Sequence, residues 1–328
     1  MGLKLKNPII AGASSLTSNI DRLKEIEDAG AAAVVIASLF EEQLQMESFA
    51  LEEDLHRHNE MHAEMVTLFP EVRHSGPEQH LMWVRKAKQS LGIPVIASLN
   101  AVSREAWVEY ARQLASTGAD GLELNFYASP SDLDRSAEDI EGEEVAILKE
   151  VVAAVKVPVS VKLSYFYTNP LNVVKRLDQA GVKAFVLFNR FFQPDFDIEN
   201  ESNLFPHDTS SSVDSRIPLR YTGLLAGAIK ADLSANTGIL SSADGIKLLL
   251  AGANTLQLVS ALFKNRIAFI TTMLREIEEW MGRKGYKRLD DFRGKLSFAK
   301  NRDPWIYKRA QYVRLLLRAD VLKGGPTS

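Results

Sequence analysis

The chain has 328 residues, with 46% apolar and 25% charged side chains, a formal net charge of −3 and no cysteine. That balance is that of a globular protein and offers no basic face for nucleic acid or an anionic membrane. The missing thiols exclude disulfides, thiolate-held metal or iron–sulfur centres, and any cysteine nucleophile or base.

In chain order, "NPIIAGAS" reads as a first strand, and "NIDRLKEIEDAG" as a helix opening on Asn19 as N-cap. "AAAVVIAS" is a second strand, followed by a charged, Met/His-rich segment over residues 40–76. "GIPVIASLN" starts a third strand at Pro94, where the absent N–H costs little. "SREAWVEYARQLASTG" is a helix capped by Ser103, with Trp107, Tyr110 and Leu114 on one face. "GLELNFY" is a fourth strand and "EGEEVAILKEVVAAV" its helix; "VPVSVKLS" is a fifth strand and "PLNVVKRLDQAG" its helix. "VKAFVLFN" is a sixth, followed by an aromatic and then polar stretch over 191–213 and the helix "PLRYTGLLAGAI". "ADLSANTG", the helix "SADGIKLLLAG" and "NTLQLVSAL" complete eight strands. "NRIAFITTMLREIEEWMGRKG" and "DPWIYKRAQYVRLLLRAD" read as two further helices, which could serve a homodimer interface.

Four of the junctions share one grammar: helix, small residue, Gly, then an apolar run of the kind buried on both faces. Alternating strands and helices imply parallel strands with right-handed crossovers, and eight such units favour a closed (β/α)8 TIM barrel. No G-x-G-x-x-G follows the first strand, which argues against a dinucleotide fold. We expect one domain over 1–328, with the barrel at about residues 5–285 and a helical extension at 286–328. The long loops after strands two and six then lie at the catalytic mouth. No apolar run approaches the roughly 18 residues of a membrane span, and "MGLKLKNPII" is too polar for a signal peptide; the expected location is cytoplasmic.

In such a barrel the chemistry sits at the strands' C-terminal ends. Those ends carry Ser98, Asn100, Asn125, Lys162, Asn189, Ser234–Gly238 and Ser260. Lys162 interrupts an apolar strand. Such a lysine either forms an ion pair inside the barrel, or stabilises a bound anion, or serves as a Schiff-base nucleophile. Asparagines on two strands suggest a ligand with donors and acceptors. The seventh and eighth loops are the common phosphate site of barrels; Gly238 permits close backbone approach there, and a helix N-terminus follows. His56, His58 and His62 read as a solvated loop, and no metal site is expected.

These residues resemble the dihydroorotate dehydrogenase family of FMN-binding barrels, from "KNPIIAGAS" through "PVSVKLS" and "VLFN" to "ANTGILSSADGIKLLLAGANTLQLVSAL". The resemblance implies an FMN cofactor held by Gly12, Ala13, Ser38, Asn100, Asn125, Lys162, Asn189, Thr237, Gly238 and Ser260. It implies hydride transfer from dihydroorotate, or a related small carbonyl compound, to flavin N5, a step of pyrimidine biosynthesis. Lys162 would stabilise the charge that develops on the flavin. Asn125, Ser131 and Asn189 would bind substrate. A side-chain base would remove a proton from the neighbouring carbon.

Where the family has Asn, two variable positions and Pro, with Cys or Ser just before the Pro, this chain has "NFYASP". Aligned with one inserted residue, Ser129 takes the base position; aligned without a gap, Ala128 does and has no ionisable group. The family's lysine after strand two is Ala37 here, and its asparagine-rich substrate loop is replaced by "LHRHNEMHAEMVTLFPEV". Three alternatives therefore stand beside the dihydroorotate reading: the same flavin barrel with another substrate, a flavin-free Schiff-base lyase or aldolase using Lys162, and a non-catalytic FMN-binding barrel. The electron acceptor is expected to be soluble; an iron–sulfur relay would have to come from a separate subunit.

Overall fold

The structure, a computed structural model, describes residues 1–41, 77–126, 132–190, 195–204, 209–308 and Val313. Its strands are β1 (Ile9–Ala11), β2 (Ala33–Val35), β3 (Leu39–Phe40), β4 (Val95–Asn100), β5 (Gly121–Phe126), β6 (Val159–Leu163), β7 (Ala184–Leu187), β8 (Asp195–Asp197), β9 (Ser202–Leu204), β10 (Asp232–Asn236) and β11 (Thr255–Leu258). The order β2-β1-β11-β10-β7-β6-β5-β4 is closed by a parallel β2–β4 pairing, Val34 opposite Val95 and Val35 opposite Ile96. This is the expected eight-stranded parallel barrel. β3 follows a break after β2 and pairs onto the end of β4.

The helices are α1 (Ile20–Asp28), α2 (Glu78–Ser90), α3 (Arg104–Ala115), α4 (Ala137–Ala154), α5 (Pro170–Gln179), α6 (Arg216–Leu225), α7 (Ser242–Ala251), α8 (Ser260–Asn265) and α9 (Phe269–Lys284). Several start where a side chain satisfies the first N–H groups. Asn19 Oδ1 accepts from Asp21 and Arg22 N–H at 2.8 and 3.2 Å, and Ser103 accepts from Ala106 N–H at 3.3 Å. Pro170 sits in the first turn of α5, where its missing donor is harmless. Gly30, Gly118, Gly181 and Gly252, which form the repeated junction, all have positive φ. Trp107 and Leu114 of α3 are buried, and Tyr110 packs at the edge of the core.

Strand periodicity divides the core. Leu122, Leu124, Val159, Val161 and Leu163 point outward to the helices and join the large cluster. Ile10, Ala33, Val35 and Ile96 point inward and form a small second cluster. The inward positions of β5, β6, β10 and β11 are polar instead: Glu123, Asn125, Ser160, Lys162, Ser234, Asn236 and Gln257 are all buried. One side of the barrel interior is thus apolar and the other hydrogen-bonding.

The insertion after β7 contains an antiparallel β8–β9 hairpin and a short 3-10 turn, Ser212–Ser215. Residues 42–76 of the other expected loop lie outside the described residues. The first C-terminal helix is α9, backed by Trp280, Tyr286 and Phe292 in edge and stacked contacts. Of the second expected helix, residues 304–307 form a 3-10 turn, and nearly all that follows lies outside the described residues. No helix among the described residues is long and apolar enough to cross a membrane.

Candidate active site at the barrel mouth

β6 carries Lys162 to the C-terminal end of the barrel, in register with Asn125 on β5 and Val186 on β7. Its side chain is 8% exposed, and among the described residues its Nζ makes no hydrogen bond or ion pair. Burial lowers its pKa, and the charge of Glu123 opposes that shift. Glu123, 1% exposed, is pushed the other way: burial raises its pKa, while Lys162 and the Gln257 amide hold it down. A buried cation without a bonded acid is costly unless a ligand meets it.

Lys162 opens into a cleft that also involves Ala13, Asn189, Thr237, Gly238 and Ser260. These residues come from five different strand ends. Arg190, Ser210, Asn236, Ile239, Gln257 and Val259 complete the lining. Asn125 Oδ1 accepts from Asn189 Nδ2 at 2.8 Å, which leaves the Asn189 oxygen and the Asn125 amide NH2 unbonded among the described residues. The pair therefore offers one acceptor and one donor side by side.

The far end of the cleft is a cradle of hydroxyls and backbone. Thr237 and Gly238 both have φ of +74°. Thr237 Oγ1 donates to Phe188 O at 2.7 Å, and Gly238 N–H donates to Ser210 Oγ at 3.3 Å. Ser210 Oγ lies 2.9 Å from Ser260 Oγ, and Lys264 Nζ donates to Ser210 O at 2.9 Å. A Cβ on Gly238 would overlap the Ser215 backbone nitrogen and come 2.8 Å from Ser211 O. The turn therefore packs directly on the 211–215 segment, as a close backbone cradle requires.

The chain's own anion sits beside the helix N-terminus expected to favour a phosphate. Asp244 of α7 accepts from the N–H groups of Leu240 and Ser241, just before the helix, at 3.3 and 3.1 Å and from Ser212 Oγ at 3.0 Å. Burial pushes Asp244 up, but Ser241, Ser212, Leu240 and Lys247 together hold it below the usual carboxylate range. Ser210, Ser260 and the Thr237–Gly238 turn are the polar groups that line this end of the cleft.

The other expected residues lie nearby but outside this cleft. Gly12 packs under it, where a Cβ would meet Val259 Cγ2 at 2.7 Å. Ser38 Oγ lies 2.7 Å from Ser98 Oγ, and Asn100 ends β4, half-buried. Ser129 and Ser131 lie outside the described residues. The residues missed in the sequence are Glu123, Ser210, Asp244, Gln257 and Lys264. Glu123 in "GLELN" and Gln257 in "TLQLV" carried the same signal as Lys162, a polar side chain at an inward position of an apolar strand. Among the described residues no cluster of His, Asp or Glu suits a metal ion.

Fold and cleft together define a (β/α)8 barrel with a polar cleft at its C-terminal mouth, into which a buried lysine opens. No protein-family model matches the chain. The chain is similar over most of its length to dihydroorotate dehydrogenases, as its motifs led us to expect. It is 24% identical over 300 residues to the catalytic subunit of dihydroorotate dehydrogenase B (NAD(+)) of Thermoplasma volcanium, covering 89% of this chain and 95% of the relative. It is 26% identical over 303 residues to the corresponding subunit of Methanosarcina mazei, covering 89% of this chain and 92% of the relative. Dihydroorotate dehydrogenase A (fumarate) of Lactobacillus helveticus is 24% identical over 211 residues, 63% of this chain and 68% of the relative.

Proposed function

We propose that the chain is an FMN-dependent oxidoreductase of the dihydroorotate dehydrogenase type. One observation carries the reading: buried Lys162, with no acid bonded to it among the described residues, opens into the cleft that ends at Thr237, Gly238 and Ser260. A flat ligand with an anionic ring edge and a phosphate tail fits those two ends. The names of the relatives fit the same chemistry.

FMN would supply the hydride acceptor. The Lys162 ammonium would stabilise negative charge at the ring edge, and it is worth more there than in water because the site is buried. The Ser210 and Ser260 hydroxyls beside the Thr237–Gly238 turn would hold the phosphate. Asn189, which lines the cleft and is bonded to Asn125, would orient ring and substrate. Ser129 is the proposed base, taking a proton from substrate carbon through a neighbour or ordered water, since a serine's own proton is held too tightly to leave unaided. The favoured substrate is dihydroorotate or a related small carbonyl compound. The relatives' names include both NAD(+) and fumarate as acceptors. With no cysteine in the chain, any iron–sulfur relay would be supplied by a separate subunit.

A second reading has one observation in its favour. Burial lowers the Lys162 pKa, which favours the neutral amine of a Schiff-base lyase. The visible spectrum of the purified protein, before and after incubation with FMN, separates the two. Yellow protein that retains flavin through gel filtration supports the oxidoreductase. Colourless protein that takes up no FMN and is trapped by borohydride on Lys162 with a carbonyl substrate overturns it.

A further inference from the structure

A continuous set of hydrogen bonds ties the barrel interior to its mouth. Glu123 lies on β5, one inward position below Asn125. Its Oε2 accepts from Gln257 Nε2 at 2.7 Å. Gln257 Oε1 accepts from Asn236 Nδ2 at 3.2 Å, and Asn236 Oδ1 accepts from the Thr237 N–H at 2.7 Å. The set ends in the left-handed Thr237–Gly238 turn, whose Gly238 N–H bonds Ser210 Oγ.

The direction of every bond is fixed at the two ends of the set. An amide has one donating and one accepting end, and nothing within Gln257 or Asn236 decides which end faces which neighbour. The Thr237 N–H can only donate, and the Glu123 carboxylate accepts, so the two ends demand the same direction. Gln257 must turn Nε2 to Glu123, which leaves Oε1 for Asn236. Asn236 must then offer Nδ2, which leaves Oδ1 for the Thr237 N–H. That last bond helps hold a non-glycine residue in left-handed backbone, which L side chains disfavour. A protonated Glu123 still presents a carbonyl oxygen, so the direction survives either charge state. The second oxygen, Oε1, has no protein partner among the described residues. Glu123 also lines a separate chamber of about 320 Å³ at the opposite end of the barrel, shared with Ser160, Ser234 and Arg293. Gln257 is therefore the carboxylate's hydrogen-bond partner among the described side chains.

We propose that Glu123 is a positioning residue that anchors the accepting end of the Gln257–Asn236 relay and, through it, the Thr237–Gly238 turn that receives the ligand's phosphate. The relay is a property of the chain itself; the phosphate rests on the FMN reading above. Glu123→Gln keeps the size but replaces the charged acceptor by a neutral amide that can also turn its NH2 toward Gln257 Nε2, so the anchor is weakened. The exchange Glu123→Gln with Gln257→Glu moves the carboxylate one step up, where it still accepts from Asn236 Nδ2.

Two measurements test this. Hydrogen exchange at the Thr237 amide reads the relay in flavin-free protein. Fluorescence titrations with FMN and with riboflavin, which lacks the phosphate, read the cradle. We expect Glu123→Gln to speed Thr237 exchange and to shrink the preference for FMN over riboflavin, each by roughly ten-fold, the scale of one buried hydrogen bond. The double exchange restores both. Wild-type exchange and wild-type preference in Glu123→Gln overturn the proposal. If that variant does not fold, the double exchange decides: wild-type values support the relay and lost values overturn it. If the wild-type protein takes up neither FMN nor riboflavin, the flavin reading fails, and Thr237 exchange alone judges the relay.

Discussion

Glu144 of α4 is 6% exposed, and its carboxylate accepts from the Tyr167 hydroxyl at 3.1 and 3.0 Å. Tyr167 lies in the loop that follows the Lys162 strand, so this contact anchors the wall beside the site. Burial raises the Glu144 pKa from 4.5 to about 7, opposed by the Tyr167 hydrogen bond and aided by the charges of Glu141 and Glu143. The sign follows from which state holds the proton. Between pH 4.5 and about 7 the native protein keeps a proton that the unfolded chain releases. The stabilisation is full below 4.5 and is lost as pH rises through about 7. At ~1.4 kcal/mol per pH unit, the interval is worth about 3 kcal/mol. Glu144→Gln keeps the shape and an acceptor for Tyr167 but has no proton to lose. Urea unfolding of both proteins at several pH values is the assay. The stability of wild type relative to Glu144→Gln should fall by about 3 kcal/mol from pH 4.5 to 7 and then level off. Stability curves that stay parallel across that range would refute the reasoning.

Four further outcomes follow, one of them a control away from the site. Lys162→Met replaces a buried cation by an apolar side chain of similar length, so flavin reduction should slow at least ~100-fold in rapid-mixing experiments, and an unchanged rate would remove Lys162 from the chemistry. Gly238→Ala must put a Cβ against the backbone of Ser215 and Ser211, and denaturant unfolding should show a loss of ~2 kcal/mol or more. Gly227→Ala has φ of +81° but open space around it, so it should lose only the ~1 kcal/mol of the left-handed backbone. Ser129→Ala should slow substrate-driven flavin reduction and leave FMN affinity unchanged; equal reduction rates would remove Ser129 as the base.

The barrel was legible because its signals are local. Each Gly junction ends a helix within its own few residues, and Asn19 and Ser103 cap helices three residues away. Lys162 was legible for a related reason, since a lone cation in "PVSVKLS" is anomalous whatever surrounds it. Its surroundings were not. Glu123 and Gln257 are 134 positions apart and meet only because the barrel closes. Asp244 was missed although its contacts are local. Its carboxylate bonds the Leu240 and Ser241 N–H groups just before α7, a capping role that "SSADG" carries in its spacing. Ser210 comes from the polar stretch after β7, where no periodicity marks a contact, yet it joins the Gly238 turn to Ser260.

The most direct test of the proposed chemistry is to add dihydroorotate to the FMN-loaded protein without oxygen and follow the flavin absorbance. The proposed function predicts that the yellow colour bleaches within the time of mixing experiments and returns when an electron acceptor is supplied. Bound flavin that dihydroorotate and related dihydropyrimidines leave fully oxidised would contradict it.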